Sequence, residues 1–117
     1  MVNNYIPHQK DIIYLDFNPT VGHEKKGRRQ ALVLSNYSVN KFTKMALVCP
    51  ITSNMKEFPL HIKIKDRIKT QGVVMCEQIK VIDFITRNAQ FKEKIDCETY
   101  EEVITVINSF INAEEDK

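Results

Sequence analysis

The chain lacks the spacings expected of a metal enzyme. His8, His23 and His61 are scattered, and no HxxxH or HExxH pattern occurs. Cys49, Cys76 and Cys97 form no CxxC pair. An odd set of distant thiols suggests neither a zinc site nor a disulfide framework, so three reduced, partly buried cysteines are expected, with no metal and no cofactor. No apolar run approaches the about 20 residues needed to cross a bilayer, and no membrane role is expected. Residues Met1 to Pro7 carry neither a basic stretch nor an apolar one of the signal-peptide kind, which predicts a cytoplasmic location. Repeats, low-complexity tracts and linkers are missing as well. A length of 117 residues fills one core, so a single domain over 1–117 is expected. The formal charge of +2 neither demands nor excludes a polyanionic partner, and the placement of charge matters more than its sum.

What is present reads mostly as short strands. Asp11 to Phe17 is rich in β-branched and aromatic residues. Ala31 to Leu34 is a continuous apolar run, as in a strand buried on both faces. Met45 to Cys49 is similar and is expected to stop at Pro50. Leu60 to Lys65 alternates, which puts Leu60, Ile62 and Ile64 on one face and predicts a solvent-facing His61 on the other. Gly72 to Cys76, Ile79 to Ile82 and a stretch between Phe84 and Phe91 are further strand candidates. Near Asp96 the period changes. Tyr100, Val103, Ile104, Ile107, Phe110 and Ile111 recur at offsets of three and four, with Asp96 as N-cap and Glu98, Glu101 and Glu102 near the positive helix start. This predicts one amphipathic helix of about 16 residues, about 24 Å long. Many short strands and one helix suggest a small, curved, barrel-like antiparallel sheet with the helix packed on it.

Three segments stand apart from this frame. The loop from Asn18 to Arg28 is too long for a simple hairpin and contains Pro19, Gly22 and Gly27. Lys25, Lys26, Arg28 and Arg29 make its end basic. A charge run alone reads as a solubilising hairpin tip. Against that, Glu24 is an acid embedded among bases, as a candidate base or orienting group would be, and Arg29 directly precedes a buried strand that fixes its guanidinium. The second segment, Cys49 to Asn54, ends a strand at proline and presents the Thr52 and Ser53 hydroxyls; taken alone it is a turn. In the third, Glu77 to Lys80, Gln78 can read a base edge or serve as an ordinary surface residue.

Together these segments resemble the MazF/PemK family of toxin endoribonucleases. Asp11 to Thr20, followed by Gly22 and Glu24, looks like the family's opening strand and loop. Arg29-Gln30-Ala31-Leu32-Val33-Leu34-Ser35 resembles its Arg-Pro-Ala/Val strand, Pro50-Ile51-Thr52-Ser53 its Pro-x-Thr-Ser corner, and Gln78-Ile79-Lys80-Val81-Ile82-Asp83 its Gln-Val-Lys-x-Ile-Asp segment. The order and spacing of these matches run over nearly the whole chain. The resemblance implies an SH3-like small β-barrel of the CcdB/PemK type with a C-terminal helix, a homodimer, and a cognate MazE-like antitoxin that occupies the RNA groove. It implies sequence-specific cleavage of single-stranded mRNA to 2′,3′-cyclic phosphate and 5′-hydroxyl ends. Arg29 and Thr52 fall on the family's catalytic arginine and threonine, and Glu24 on a loop acid important in part of it. Phe17, Thr20, Gly22, Lys25, Arg28, Ser53, Lys56 and Gln78 are then the expected RNA contacts. Gln30 stands where the family usually has proline, and Lys10 where it usually has glycine.

RNA carries its own nucleophile, the 2′-hydroxyl, so no metal is required. In the expected mechanism Glu24 takes the 2′-hydroxyl proton while Arg29 and Thr52 hold the charge that develops on phosphorus. A glutamate beside an arginine has a lowered pKa and is a weak base, which makes this assignment less secure than the phosphate-binding one. A CcdB-like gyrase inhibitor is the first rival. Such toxins contact gyrase through a C-terminal Trp-Gly-Ile, whereas this chain has no tryptophan and ends Glu114-Glu115-Asp116-Lys117. A non-catalytic RNA-binding module is the second rival, and a plain structural dimer, which leaves the basic loop unexplained, is the third.

Overall fold

The computed structural model describes residues 4–16 and 28–114. Residues 17–27 lie outside the described part, and with them the expected roles of Phe17, Thr20, Gly22, Glu24 and Lys25. The described residues form β1 (Asp11–Asp16), β2 (Arg28–Val33), α1 (Tyr37–Thr43), β3 (Ala46–Thr52), β4 (His61–Lys63), β5 (Val73–Met75), a 3-10 turn (Cys76–Gln78), β6 (Lys80–Ile82), β7 (Gln90–Lys94) and α2 (Cys97–Ile111). The strands make one antiparallel sheet in the order β4-β5-β3-β2-β1-β7, with β6 also paired to β3. The sheet is mainly β with a C-terminal helix, as expected; it curls like a small barrel but does not close.

Strand β3 organises this sheet. Its inner edge pairs with β2 in a register that sets Gln30 opposite Ile51 and Val33 opposite Val48. Its outer edge is shared. Ala46, Leu47 and Val48 pair with β6, and Ile51 and Thr52 pair with β5. The strand therefore runs through Pro50 rather than stopping there. Pro50 sits where the outer edge exchanges one partner for the other, a place that tolerates a residue without an N–H.

Alternation along the strands builds two cores, one on each face. Ile12, Leu32, Cys49, Ile51, Val74 and Cys76 face α2 and pack with Tyr100 and Val103. Ile13, Leu15, Ala31, Val33, Ala46, Val48 and Ile82 face the other way and are covered by Phe84, Ala89, Tyr5 and Ile6. Each fully buried side chain of this kind is worth about 1.5–3 kcal/mol. The continuous apolar run of β2 is thus buried on both faces, as its sequence predicts. Cys49 and Cys76 are free thiols in the helix-side core, where burial pushes both thiols up, while Cys97 is exposed.

Helix α2 starts at its expected cap, with Asp96 accepting from the Thr99 N–H at 3.0 Å. Its stripe is less buried than its period suggests, because Phe110 and Ile111 at the C-terminal end are exposed. Two further differences are local. The stretch from Phe84 to Phe91 is a turn up to Ala89, because Asp83 accepts from the Ile85 and Thr86 N–H groups and bends the chain before β7 begins at Gln90. Helix α1, unforeseen from the sequence, is capped by Asn36 and anchored by the buried Asn40, which donates to the Pro7 and Ser35 carbonyls. Lys10, in place of the family's usual glycine, adopts a left-handed φ of 77° just before β1. Its N–H and C=O are still bonded, to Val33 O and Ile95 N.

Two outcomes follow. Gly72 has φ +126°, and a Cβ there would lie 2.3 Å from the Thr52 carbonyl oxygen. Gly72→Ala should cost about 1–3 kcal/mol in urea unfolding and shift the end of β3. Burial pushes the Asp96 carboxyl up, but the hydrogen bonds from Thr99 outweigh it and hold the group below the usual aspartate range. The stability this supplies is present at neutral pH and is lost as pH falls below about 4. Asp96→Ala should lose about 1 kcal/mol at pH 7, and the difference from wild type should shrink in acid when both are unfolded with urea across that range.

Candidate functional site

The face opposite α2 brings Arg29, Lys80 and Arg87 together. Arg29 on β2 pairs with Leu15 on β1 and shares the face of Leu15, Ala31 and Val33. One step beyond the Gln30–Ile51 pair, the β2–β3 register brings Arg29 across from Thr52. Lys80 pairs with Val48 and therefore shares the same face. Arg87, from the turn before β7, joins them. Arg29, Lys80 and Arg87 rim a small hollow whose floor is Leu15, Ala31, Val48, Pro50 and Ile82. The Lys80 ammonium is held below the ordinary lysine range by burial first, then by the guanidiniums of Arg87 and Arg29. Three converging cations over an apolar floor repel one another, and an anion placed among them relieves that repulsion.

Thr52 stands at the end of β3, half-buried. Its Oγ1 accepts from the Asn54 N–H at 3.1 Å, which leaves the hydroxyl hydrogen to be donated elsewhere. Ser53 and Lys56 follow in an exposed loop. Gln78 is exposed at the end of the 3-10 turn, not on a strand, and its Nε2 donates to Glu77 Oε2 at 3.4 Å. Arg28 alternates to the other face from Arg29. Its guanidinium pairs with the Asp16 carboxylate and donates to the Tyr14 and Asn88 carbonyls, tying β1 to the turn before β7. The Gln30 side chain also turns away from Arg29, its Oε1 accepting from Lys92 Nζ at 2.8 Å.

His61 departs from the sequence expectation. Its side chain is only 14% exposed, and Nε2 lies 3.1 Å from Glu77 Oε2. Alternation does put it on the face away from Ile62, but Glu77 and the ring of Phe58 cover that face. Burial pushes the Glu77 carboxyl up, yet hydrogen bonds from His61 and Gln78 hold it below the usual range, so it is a carboxylate. Lys80 and Arg87 carry the positive charge of the hollow, and neither was singled out from the sequence. Lys80 was legible as the same-face partner of Ile82; nothing short of the folded turn signals Arg87.

Comparison with known proteins identifies the family and the fold. Residues 8–111 match the family described as PemK-like, MazF-like toxin of type II toxin-antitoxin system. The chain is 34% identical over 111 residues to the endoribonuclease toxin MazF of Escherichia coli K12, covering 95% of this chain and 99% of that protein. Among solved structures, MazF of Deinococcus radiodurans is similar at a TM-score of 0.82 and 30% identity, covering 92% of this chain and 98% of that one. A MazE–MazF complex of the same organism gives a TM-score of 0.83 at 26% identity. The protein described here belongs to the PemK-like, MazF-like family of toxins of type II toxin–antitoxin systems.

Proposed function

We propose that this endoribonuclease toxin cuts single-stranded mRNA at short sequences without a metal ion, leaving a 2′,3′-cyclic phosphate and a 5′-hydroxyl. The observation that carries the reading is the convergence of Arg29, Lys80 and Arg87 on one sheet face beside Thr52. A phosphodiester is the anion that such a face fits. Arg29 binds the non-bridging oxygens through its planar fork, and Thr52 donates its hydroxyl hydrogen to the same charge. One well-placed donor of this kind contributes about 3–4 kcal/mol in the transition state. Glu24 takes the 2′-hydroxyl proton, the 2′-oxygen bonds to phosphorus, and the bond to the 5′-oxygen breaks. Lys80 gives that oxygen its proton. An ammonium held below the ordinary lysine range is a stronger acid than a guanidinium.

The remaining partners follow from the same reading. An unpaired strand contacts Ser53, Lys56 and Gln78, and the resemblance adds Phe17, Thr20, Gly22 and Lys25, which lie outside the described residues. A MazE-like antitoxin silences the toxin by covering the face, a reading supported by the MazE–MazF complex of the Deinococcus relative. A second copy of the chain covers exposed apolar side chains such as Phe42, Val81 and Ile111. No helix among the described residues is long and apolar enough to cross a membrane, and the mRNA target points to the cytoplasm as the place of action.

The test uses a single-stranded RNA with EDTA present. Wild type should cut it, and Arg29→Ala should fall at least about a hundredfold. Full activity in Arg29→Ala would sink the mechanism, and loss of wild-type activity in EDTA would sink its metal-free form. Lys80→Ala should cut more slowly, with the loss partly recovered on an RNA whose 5′-oxygen is replaced by sulfur, a leaving group that needs no proton. An unchanged defect on that substrate would remove Lys80 as the acid.

A further inference from the structure

Cys49 and Cys76 take no part in the chemistry of the hollow, yet the strand pairings set them face to face. On the outer edge of β3, Ile51 lies opposite Val74 and Thr52 opposite Val73. Two residues further along that antiparallel register, Cys49 comes opposite Cys76. Both side chains enter the helix-side core, and both residues are fully buried. The Cys76 N–H donates to the Leu60 carbonyl at 3.2 Å, away from β3. Cys76 therefore faces β3 at a non-hydrogen-bonded position, where opposite Cα atoms approach to about 4.5 Å. A disulfide needs about 4.4–6.8 Å between Cα atoms and both side chains on one face, which this placement satisfies.

The position of the pair makes such a link consequential. Pro50, between Cys49 and Ile51, has no N–H to give the outer edge. Ladder pairing to β3 holds the segment Val73 to Ile82 at its two ends, through β5 and through β6. Its middle is held by Cys76 and Ile79 packing into the helix-side core. The two thiols stand at that middle. They face α2, whereas Lys80 faces the hollow on the opposite side of the sheet. Burial first, and then the neighbouring Cys76, pushes the Cys49 thiol up to about 12; burial and Glu77 push the Cys76 thiol up to about 11. Few thiolates form at neutral pH, so the pair reacts slowly and answers sustained rather than brief exposure to an oxidant.

We propose that Cys49 and Cys76 are a site of reversible disulfide formation by hydroperoxides, and that the bond clamps the segment carrying Glu77 and Lys80 onto β3. Hydrogen peroxide transfers one oxygen to Cys76 Sγ, which becomes a sulfenic acid, and the first water leaves. Cys49 Sγ then attacks that sulfur and the S–O bond breaks. The hydroxyl departs with the Cys49 proton as a second water. Two thiols are thereby oxidised to one disulfide, and one peroxide is reduced to two waters. The link closes a loop over residues 49–76 and removes freedom from the unfolded chain, so the oxidised protein unfolds less readily. The cationic face, on the other side of the sheet, is the same in both forms.

The test treats the full-length chain carrying Cys97→Ser, which removes the exposed thiol, with hydrogen peroxide over hours and digests it without reduction for mass spectrometry. The fragments holding Cys49 and Cys76 should appear joined, two hydrogens lighter than their sum, and dithiothreitol should separate them. The midpoint of thermal unfolding should rise by roughly 5–15 °C on oxidation and return on reduction. Amide exchange from Val74 to Lys80 should slow on the order of tenfold. In Cys49→Ser and, separately, in Cys76→Ala, peroxide should produce neither the link nor the rise. Absence of the link in the folded protein, a link that forms only in urea, or a joined form whose midpoint is unchanged or lower would overturn the clamp. RNA cleavage by the joined form should match that of the reduced form, and a loss on oxidation would overturn the separation of the two faces.

Discussion

The divided edge of strand β3 is the constraint on which the rest depends. On its inner side β3 is bonded to β2, and on its outer side β6 takes the first half and β5 the second. That arrangement fixes the register of four strands at once. Register decides face, because side chains alternate with a period of two. The helix-side core, the opposite core, and the line of Arg29, Thr52 and Lys80 are three consequences of one set of pairings. Helix α2 contributes to the site only indirectly, by burying the face that the site does not use.

The two faces carry different kinds of work. On the helix side the core is apolar, Tyr100 donates to the Leu34 carbonyl at 2.9 Å, and Asp96 caps its helix. On the other side are like charges set close together, a hydroxyl with a hydrogen left to donate, and a bonded histidine–glutamate pair. A local arrangement that is poor for stability and repaired by a bound anion is the usual character of a binding surface.

How much of this the sequence revealed depended on whether a residue's role was local. Helix α2 and its cap were legible because period and capping are read within a few residues. The buried strand Ala31 to Leu34 was legible because it is apolar throughout. Helix α1 was not, since it has only seven residues and exposes Tyr37, Val39 and Phe42, so no apolar stripe marks it. Pro50 misled because its tolerance depends on the partner exchange at β3, which no local pattern encodes. His61 looked solvent-facing because alternation gives the face of a side chain but not what covers that face. Arg29 and Thr52 stood out mainly through the family resemblance, and the structure brings them to one face. Arg87 reaches that face from a turn closed by Asp83, a tertiary event. The Gln30 departure leaves the site's face untouched, because its side chain turns away from Arg29 to Lys92. The Lys10 departure falls at a left-handed position, where glycine costs nothing and lysine is strained.

The ten residues from Val73 to Ile82 hold β5, the 3-10 turn and β6, and both of these short strands bond to the same outer edge of β3. Glu77, Gln78 and Lys80 therefore ride on one segment anchored at both ends. A slip of this segment by a single residue would turn Lys80 out of the hollow and bring Ile79 or Val81 into its place, while carrying Glu77 away from His61. The two anchors on β3 thus hold the charge of Lys80 and the Glu77–His61 contact in one common register.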